Sequence, residues 1–337
     1  MRPRLLIIRY GGIGDAIQAS SILPHLRAEG WHITWDASEA GETVLRHDPH
    51  IDAFLVTPHC SVPEEQLAVY WNARTTGFHR VINLCETVEV ALLPTPKNLG
   101  FYRDDATRRR LYSGRNYLAH IHEVAGVPPP YRPWYFPTEA ETAAAAAEIA
   151  GRRAVVLCLA GSAPYKVWPV ADDVAATLLW DDPDAVVFLA GGTKDAHLAA
   201  AVAQTVARLR PAALERLVDM TGRTLRETLA VACLAAAVVG PETGILNAVA
   251  HRPMRKVVML SHSSHENLTR DWENTAALRP QVPCHPCHRL HYTAKFCPRV
   301  PGGFAACAAS FDVPTILRAL APTDAPQGAL ILDEAMA

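Results

Sequence analysis

The stretch RLLIIRYGGIGDAIQ at residues 4–18 decides the fold prediction. Its apolar run, Leu5–Ile8, is typical of a central parallel strand that is covered on both faces. The glycines that follow permit a sharp turn and the close approach of a ligand, and the residues from about Ala16 predict a helix. In an open α/β sheet this junction lies at the carboxyl ends of the strands, where ligands bind.

Asp15 lies at this junction, and general base is a reasonable role for a carboxylate near a helix N-terminus. The other interpretation is that Gly11, Gly12 and Gly14 only permit tight packing. The spacing differs from G-x-G-x-x-G, and no acidic residue ends a second strand at the position typical of a dinucleotide site. The turn by itself leaves both interpretations open.

Strand and helix patterns alternate along the whole chain, which predicts a doubly wound α/β architecture. In the first half one helix is predicted over 16–29, and strands are predicted at 31–35, 53–56 and 80–84. In the second half strands are predicted at 154–160, 185–190, 236–239 and 256–260.

Five prolines from Pro128 to Pro137, with aromatic residues between them, predict a stiff, extended connector between the halves. We therefore expect one domain at 1–127, a hinge at 128–138 and a second domain at 139–320. The residues at 321–337 are interpreted as a tail with no assigned role. Two similar domains imply a cleft between them, a common place for a ligand.

Composition limits the class of protein. A length of 337 residues fits two domains, and 50% hydrophobic with 20% charged residues is ordinary for a globular protein. A net charge of −2 makes nucleic acid an unexpected partner. No apolar run approaches the ~20 residues that span a bilayer, and the N-terminus lacks the shape of a signal peptide. We therefore expect a cytoplasmic protein without a transmembrane segment.

Eight cysteines in that compartment do not suggest a disulfide framework. Four of them have apolar neighbours and are expected to be buried thiols: Cys60, Cys85, Cys158 and Cys233. An arginine-rich section follows Tyr102, which is interpreted as a solvated helix face or as a basic rim for an anionic acceptor. Its arginines are Arg103, Arg108, Arg109, Arg110 and Arg115.

Three loops of the second half carry chemistry. The loop at 161–168, with Ser162 and Lys166, suits a pyrophosphate, and the alternative is a surface lysine before a Trp-Pro packing corner. The turn at 240–247 opens a helix and can meet a sugar or phosphate, or it is an ordinary helix cap. The turn at 191–195 can approach a nucleoside, or it is a plain turn.

The order of these features resembles glycosyltransferase family 9, the bacterial heptosyltransferases, over roughly residues 4–320. The resemblance implies a GT-B fold, with two Rossmann-like domains facing a cleft, the first for the acceptor and the second for the nucleotide sugar. The family's small-residue turn ending in Ile-Gly-Asp is matched at 10–15, which implies that Asp15 is the catalytic base. Gly12 and Gly14 are assigned to the donor site with it.

Further residues are assigned to the donor site by the same resemblance. The family's Lys-x-Trp-Pro is matched at 166–169, which implies that Lys166 binds the donor phosphates. The family's Asp-Thr-Gly-x-x-His is partly matched at 242–247, where Glu replaces Asp and Asn replaces His. The remaining assignments, for the ribose, the base, the sugar and the phosphates, are Ser162, Gly191, Gly192, Asp195, Thr221, Glu242, Thr243, Gly244 and Asn247.

A second departure from the family is the cluster Cys284-His285-Pro286-Cys287, followed by Cys297 and Cys307. Four thiolates at these spacings can surround one tetrahedral ion, and sulfur coordination suits zinc or iron. A disulfide pair is the disfavoured alternative, and His285, His288 and His291 are alternative ligands. A similar knuckle at 284–307 occurs in the autotransporter heptosyltransferases, where it is associated with iron. Those enzymes modify proteins.

These assignments together predict an inverting glycosyltransferase that moves heptose from ADP-heptose to a hydroxyl of a glycan, a lipopolysaccharide core or a protein. The resemblance implies no catalytic metal, so the cysteine site is expected to be structural. The inner-membrane surface is left open as a further partner. The alternatives are a module that binds nucleotide sugar without catalysis, a transferase with a different donor, and a nucleic-acid acceptor.

Overall fold

The computed structural model describes residues 2–57, 66–85, 114–287, 297–321 and 330–332. The first half contains a four-stranded parallel sheet with the order β3-β2-β1-β4. Its strands are β1 (Arg4–Arg9), β2 (His32–Ala37), β3 (Ala53–Val56) and β4 (Arg80–Asn83). The helices of this half are Ile13–Ser20, Leu23–Ala28, Glu39–Leu45, Leu67–Thr75 and Tyr117–Ala125.

The second half contains a seven-stranded parallel sheet with the order β11-β10-β9-β8-β5-β6-β7. Its strands are β5 (Arg153–Cys158), β6 (Ala185–Ala190), β7 (Leu217–Asp219), β8 (Ala237–Pro241), β9 (Arg255–Met259), β10 (Thr275–Leu278) and β11 (Leu330–Leu332). The helices are Glu139–Ile149, Ala171–Asp181, Ala196–Leu209, Leu225–Leu234, Gly244–Ala248, His265–Leu268 and Val313–Leu320.

The prediction of an α/β fold with parallel sheets is confirmed. The central strands are buried along their length, as the continuous apolar runs predicted, and Leu5, Ile7 and Val156 are fully buried. Each such side chain contributes ~1.5–3 kcal/mol when it leaves water. In the first sheet the chain order reverses between β1 and β4, and in the second it reverses between β8 and β5. Ligands of open α/β sheets bind at these points of reversal.

The single helix predicted over 16–29 is wrong, because the structure has two helices, and the first begins at Ile13. The hydroxyls of Ser20 and Ser21 donate to the main-chain oxygens of Ile17 (2.8 Å) and Gln18 (2.7 Å). Such local bonds compete with a continuing helix, and Pro24 has no N–H to offer. The earlier start places Asp15 in the first helical turn.

Other elements were not predicted. Strand β10 and the helices at Tyr117–Ala125 and Val313–Leu320 have short or weak apolar patterns. The segment interpreted as a tail contributes β11, which pairs in parallel with β10. The predictions for Cys60, the arginines at 103 and 108–110, and the histidines at 288 and 291 lie outside the described residues.

The connector between the halves is held by two arginines of the second half. Arg226 bonds both carboxylate oxygens of Glu141 at 2.6 and 2.7 Å, and it donates to the main-chain oxygens of Phe136 (3.0 Å) and Thr43 (3.3 Å). Arg252 donates to the main-chain oxygen of Tyr135 at 2.9 Å. Because Thr43 belongs to the first half, Arg226 joins both halves and the connector. Among the described helices, none has the length and apolar character needed to cross a membrane.

Candidate nucleotide-sugar site

Most of the candidate donor residues follow the carboxyl ends of neighbouring strands in the second sheet. Lys166 follows β5, the glycine pair at 191–192 follows β6, Thr221 follows β7 and Glu242 follows β8. In a parallel sheet these ends share one edge. The loops of Lys166 and Glu242 therefore flank the point where the chain order reverses, between β5 and β8.

Asp15 follows β1, at the corresponding edge of the first sheet. The main-chain N–H of Gly12 donates to its Oδ2 at 2.8 Å, and Nη2 of the buried Arg9 lies 3.3 Å from its Oδ1. The Asp15 side chain remains 31% exposed. Gly11 has φ +106°, and a Cβ at this position would lie 2.8 Å from Oδ2 of Asp15. The turn therefore requires glycine for its backbone angle and for the space the carboxylate occupies.

The second half repeats this local structure after β6. The N–H of Gly192 donates to Oδ2 of Asp195 at 2.9 Å, as Gly12 donates to Asp15. Asp195 is buried, with 8% exposure, and its carboxylate serves to cap its own turn. Its predicted contact with a ribose stays a prediction. Of the two carboxylates, Asp15 is the more exposed and is paired with an arginine, which suits it better for contact with a substrate.

Lys166 is a buried cation at the reversal point, with 5% exposure. Its Nζ donates to the main-chain oxygen of Glu242 at 2.9 Å and lies 3.7 Å from Oε2 of the same residue. Burial lowers the pKa of Lys166, and the negative charges of Glu242 and Asp15 oppose that shift. Since Asp15 belongs to the first half, its effect on Lys166 indicates that the two halves bring these groups near each other.

The carboxylate of Glu242 is bonded to the loop that follows β9. Its Oε1 accepts from the main-chain N–H groups of Ser261 (2.8 Å) and Ser263 (3.1 Å), and its Oε2 contacts the hydroxyl of Ser261 (3.1 Å) and Nδ1 of His262. Burial alone would raise the pKa of Glu242, but the His262 and Lys166 charges and these hydrogen bonds hold it well below its usual range. The carboxylate is therefore committed to this loop, and a contact with the sugar stays a prediction.

The helix that follows Glu242 packs against the first helix of the chain. A Cβ on Gly244 would lie 2.8 Å from Cβ and Cγ2 of Ile13 and 3.2 Å from the main-chain nitrogen of Gly14. The side-chain amide of Gln18 donates to Oδ1 of Asn247 at 2.9 Å, and Nδ2 of Asn247 donates to the main-chain oxygen of Thr243. Both ends of the Asn247 amide are thus used in this contact, and its predicted donor role stays a prediction.

The remaining candidates lie in loops at the same edge. The hydroxyl of Thr243 caps the helix at Gly244–Ala248 by accepting from the N–H of Leu246 at 3.3 Å. The main-chain nitrogen and the hydroxyl of Thr221 both donate to Oδ1 of Asp219 at 2.8 Å. Ser162 is exposed in the loop before Lys166. The turn at Thr243 therefore offers N–H groups of a helix start, whereas Ser162 offers an accessible hydroxyl.

Sequence reasoning missed three residues of this site. Tyr117 is buried, and burial raises its pKa, with the charges of Glu242 and Asp15 adding to the effect, so its phenol lies near groups of both halves. His262 contacts Glu242, and the buried Arg9 orients Asp15. Only Arg9 had a signal in the sequence, because a charged residue that ends a buried strand is unusual.

The four clustered cysteines line one small cavity of about 20 Å³, together with Tyr165, Ser261 and three neighbouring residues. None of the seven described cysteines is joined in a disulfide. Burial raises the pKa of Cys307 to about 12, and the other three cysteines add to the effect. Within the described residues, no group of three or more His, Cys, Asp and Glu side chains is placed to hold a metal ion. The predicted metal therefore stays a prediction.

Comparison with known proteins identifies relatives of the chain. The family model described as glycosyltransferase family 9 (heptosyltransferase) matches residues 72–295. The structure of ADP-heptose lps heptosyltransferase II from E. coli is 16% identical, with a TM-score of 0.65 over 94% of this chain and 97% of that chain. A family 9 glycosyl transferase from Veillonella parvula DSM 2008 is 14% identical, with a TM-score of 0.64 over 94% and 95%.

A third solved structure is the iron-containing dodecameric glycosyltransferase TibC from enterotoxigenic E. coli H10407. It is 12% identical, with a TM-score of 0.57 over 95% of this chain and 75% of that chain. No curated protein matches the sequence. The structural likenesses agree with the GT-B architecture expected from the sequence.

Proposed function

Because the chain belongs to glycosyltransferase family 9 and is a glycosyltransferase, we propose that it transfers heptose from ADP-heptose with inversion at the anomeric carbon. The acceptor is a hydroxyl group of a glycan, a lipopolysaccharide core or a protein. The second half holds the nucleotide sugar and the first half presents the acceptor. The donor proposal is supported by relatives whose names include ADP-heptose.

One observation carries this proposal. Lys166 is a buried cation at the reversal point of the second sheet, and Asp15 of the first half acts on it electrostatically. A cation at that point suits a diphosphate, and a partly exposed carboxylate opposite it suits a general base. The two groups that the reaction needs on opposite sides of the anomeric carbon thus come from opposite halves.

In this mechanism Lys166 and the N–H groups of the turn at Thr243 and Gly244 hold the diphosphate. They stabilise the negative charge that grows on the leaving group as the glycosidic bond to the nucleotide breaks. Asp15 takes the proton from the acceptor hydroxyl, whose oxygen attacks the anomeric carbon from the face opposite the diphosphate. Arg9 and the N–H of Gly12 fix the orientation of the carboxylate.

Closure of the halves about the connector at 128–138 would exclude water from the transfer. This part of the proposal is supported by Arg226, which bonds the connector and both halves. The contact of Gln18 with Asn247 sets how closely the halves approach on the side of Gly244.

For the cysteine cluster, we propose that Cys284, Cys287, Cys297 and Cys307 hold one structural ion of zinc or iron. A space of about 20 Å³ admits a single atom-sized guest, and its four sulfur atoms are the donors that zinc and iron accept. The iron-containing TibC supports iron. The ion would fix the fold of the knuckle, and membership of the autotransporter heptosyltransferase subgroup is part of the same proposal. No step of the transfer passes through it.

A second candidate function is binding of a nucleotide sugar without transfer. It is favoured by Glu242 and Asn247, which replace the family's Asp and His and are both engaged in internal contacts. A donor other than ADP-heptose is compatible with the same replacements. A cytoplasmic location, with contact to the inner-membrane surface, belongs to the proposal, and nucleic acid is not expected as an acceptor.

The test is calorimetry of the purified protein with a panel of ADP-, UDP- and GDP-sugars. We expect ADP-heptose to bind, and Lys166→Ala to weaken that binding at least tenfold. Arg208→Ala is the matched control, because Arg208 is an exposed cation on the helix Ala196–Leu209 of the same half. Preference for another nucleotide would refute the proposed donor, and equal binding by both variants would refute the role of Lys166.

A further inference from the structure

Two candidate cations lie beside the buried carboxylate of Glu242. Strand β8 lies between β9 and β5 in the second sheet. Glu242 follows β8, His262 follows β9 and Lys166 follows β5, so the carboxylate stands between the imidazole and the ammonium group. All three side chains are buried, with exposures of 4–5%. Balance of charge within this group therefore depends on its own members more than on solvent.

The contacts indicate that His262, and not Lys166, is the main partner of the carboxylate. Nδ1 of His262 contacts Oε2 directly, whereas Nζ of Lys166 lies 3.7 Å from that oxygen, beyond hydrogen-bond length. The hydrogen bond that Lys166 donates goes to the main-chain oxygen of Glu242. The other carboxylate oxygen is occupied by the N–H groups of Ser261 and Ser263. The carboxylate is thus satisfied without the lysine.

Other groups face this cluster. The ring of Tyr165 meets the imidazole of His262 edge to face, with centroids 6.1 Å apart. His285 contacts the main-chain oxygen of Ser263 through Nε2 at 2.9 Å, and its charge state is coupled to that of His262. Asp15 acts on Lys166 from the first half.

We propose that His262 is a positioning residue: it neutralises Glu242 and thereby leaves the charge of Lys166 to the diphosphate of the donor. This inference rests on the proposed function, since it assumes that Lys166 binds the donor phosphates. His262 acts through Glu242 and contacts no part of the substrate. Without the imidazole, Lys166 becomes the remaining cation beside the carboxylate and is drawn to it.

A double-mutant cycle tests this relation, with ADP as the calorimetric probe. We expect His262→Gln to weaken ADP binding at least tenfold, because the carboxylate then competes with ADP for Lys166. Adding Glu242→Gln to that variant removes the competing charge and should restore the affinity to within threefold of the wild type. A role in packing alone predicts the opposite, since a second substitution in a buried cluster adds damage. His251→Gln is the matched control, because His251 is a buried histidine of the same half.

The outcomes separate the inference from the proposed function. If the wild type does not bind ADP, or if Lys166→Ala binds as tightly as the wild type, the donor site is refuted and the inference with it. If both of those expectations hold but H262Q binds normally, or the double variant binds no better than H262Q, only the inference is refuted. If H262Q does not fold, as near-ultraviolet circular dichroism reveals, the neutral double variant decides alone. Affinity within threefold of the wild type then supports the inference, and a weaker affinity contradicts it.

Discussion

The ion pair of Arg226 and Glu141 fastens the connector, and its contribution to stability is open to measurement. Glu141→Gln keeps the size of the side chain but removes its charge. The hydrogen bond from Arg226 is the main cause that lowers the pKa of Glu141 from 4.5 to about 2. Since one unit of pKa corresponds to about 1.4 kcal/mol, this amounts to about 3 kcal/mol. The Glu141 side chain is 21% exposed, and screening by solvent reduces the expected loss to about 2–3 kcal/mol.

The dependence on pH gives the sign of the effect. Because the pKa of Glu141 is lower in the folded protein, its stabilisation is complete above 4.5 and is lost as the pH falls towards 2. Urea unfolding at pH 7, 5 and 4 should therefore show a gap between wild type and Glu141→Gln that narrows below pH 4.5. The control is Glu139→Gln, in the same helical turn but exposed. Equal stability of the two variants at pH 7, or a gap independent of pH, would refute the reasoning.

Two further predictions concern the contact between the halves and the cysteine cluster. Gly244→Ala places a methyl group 2.8 Å from Ile13, so we expect a loss of ~1–3 kcal/mol in urea unfolding and weaker ADP binding, whereas Gly114→Ala, which meets no atom within 4 Å, should change neither; normal stability and binding of Gly244→Ala would contradict the packing argument. Elemental analysis should find about one zinc or iron ion per chain, retained in Cys233→Ser and lost in Cys287→Ser. A wild type without metal, or a Cys287→Ser variant that keeps it, would overturn the proposed ion.

The local elements of the fold were predictable because their signals are local. The run at Leu5–Ile8 and the runs of the second half are long enough to identify buried strands, and the glycines mark their ends. Parallel strands then bring the loops of Asp15, Lys166 and Glu242 to the sheet edges without further information. The break in the first helix was not predicted, since it depends on how two serine hydroxyls bond back to the main chain.

The contacts of the site residues were not predictable in the same way. The partners of Glu242 lie 19–21 residues further along the chain, on the loop of a neighbouring strand. The pairing of Gln18 with Asn247 joins residues 229 positions apart. No pattern in the sequence announces such pairs, because they are set by the register of the sheet and by how the halves pack. This is why two residues expected to face the donor, Glu242 and Asn247, are found in internal contacts.

The central claim is that Asp15 removes the proton of the acceptor while Lys166 holds the diphosphate. The most direct measurement follows ADP release from ADP-heptose in the wild type, Asp15→Asn and Lys166→Ala, together with the affinity of each for the donor. In Asp15→Asn the amide oxygen can still accept the N–H of Gly12. We therefore expect this variant to bind the donor within threefold of the wild type and to release ADP ~10²–10⁴-fold more slowly, while Lys166→Ala loses affinity. ADP release by Asp15→Asn at the wild-type rate would contradict the account.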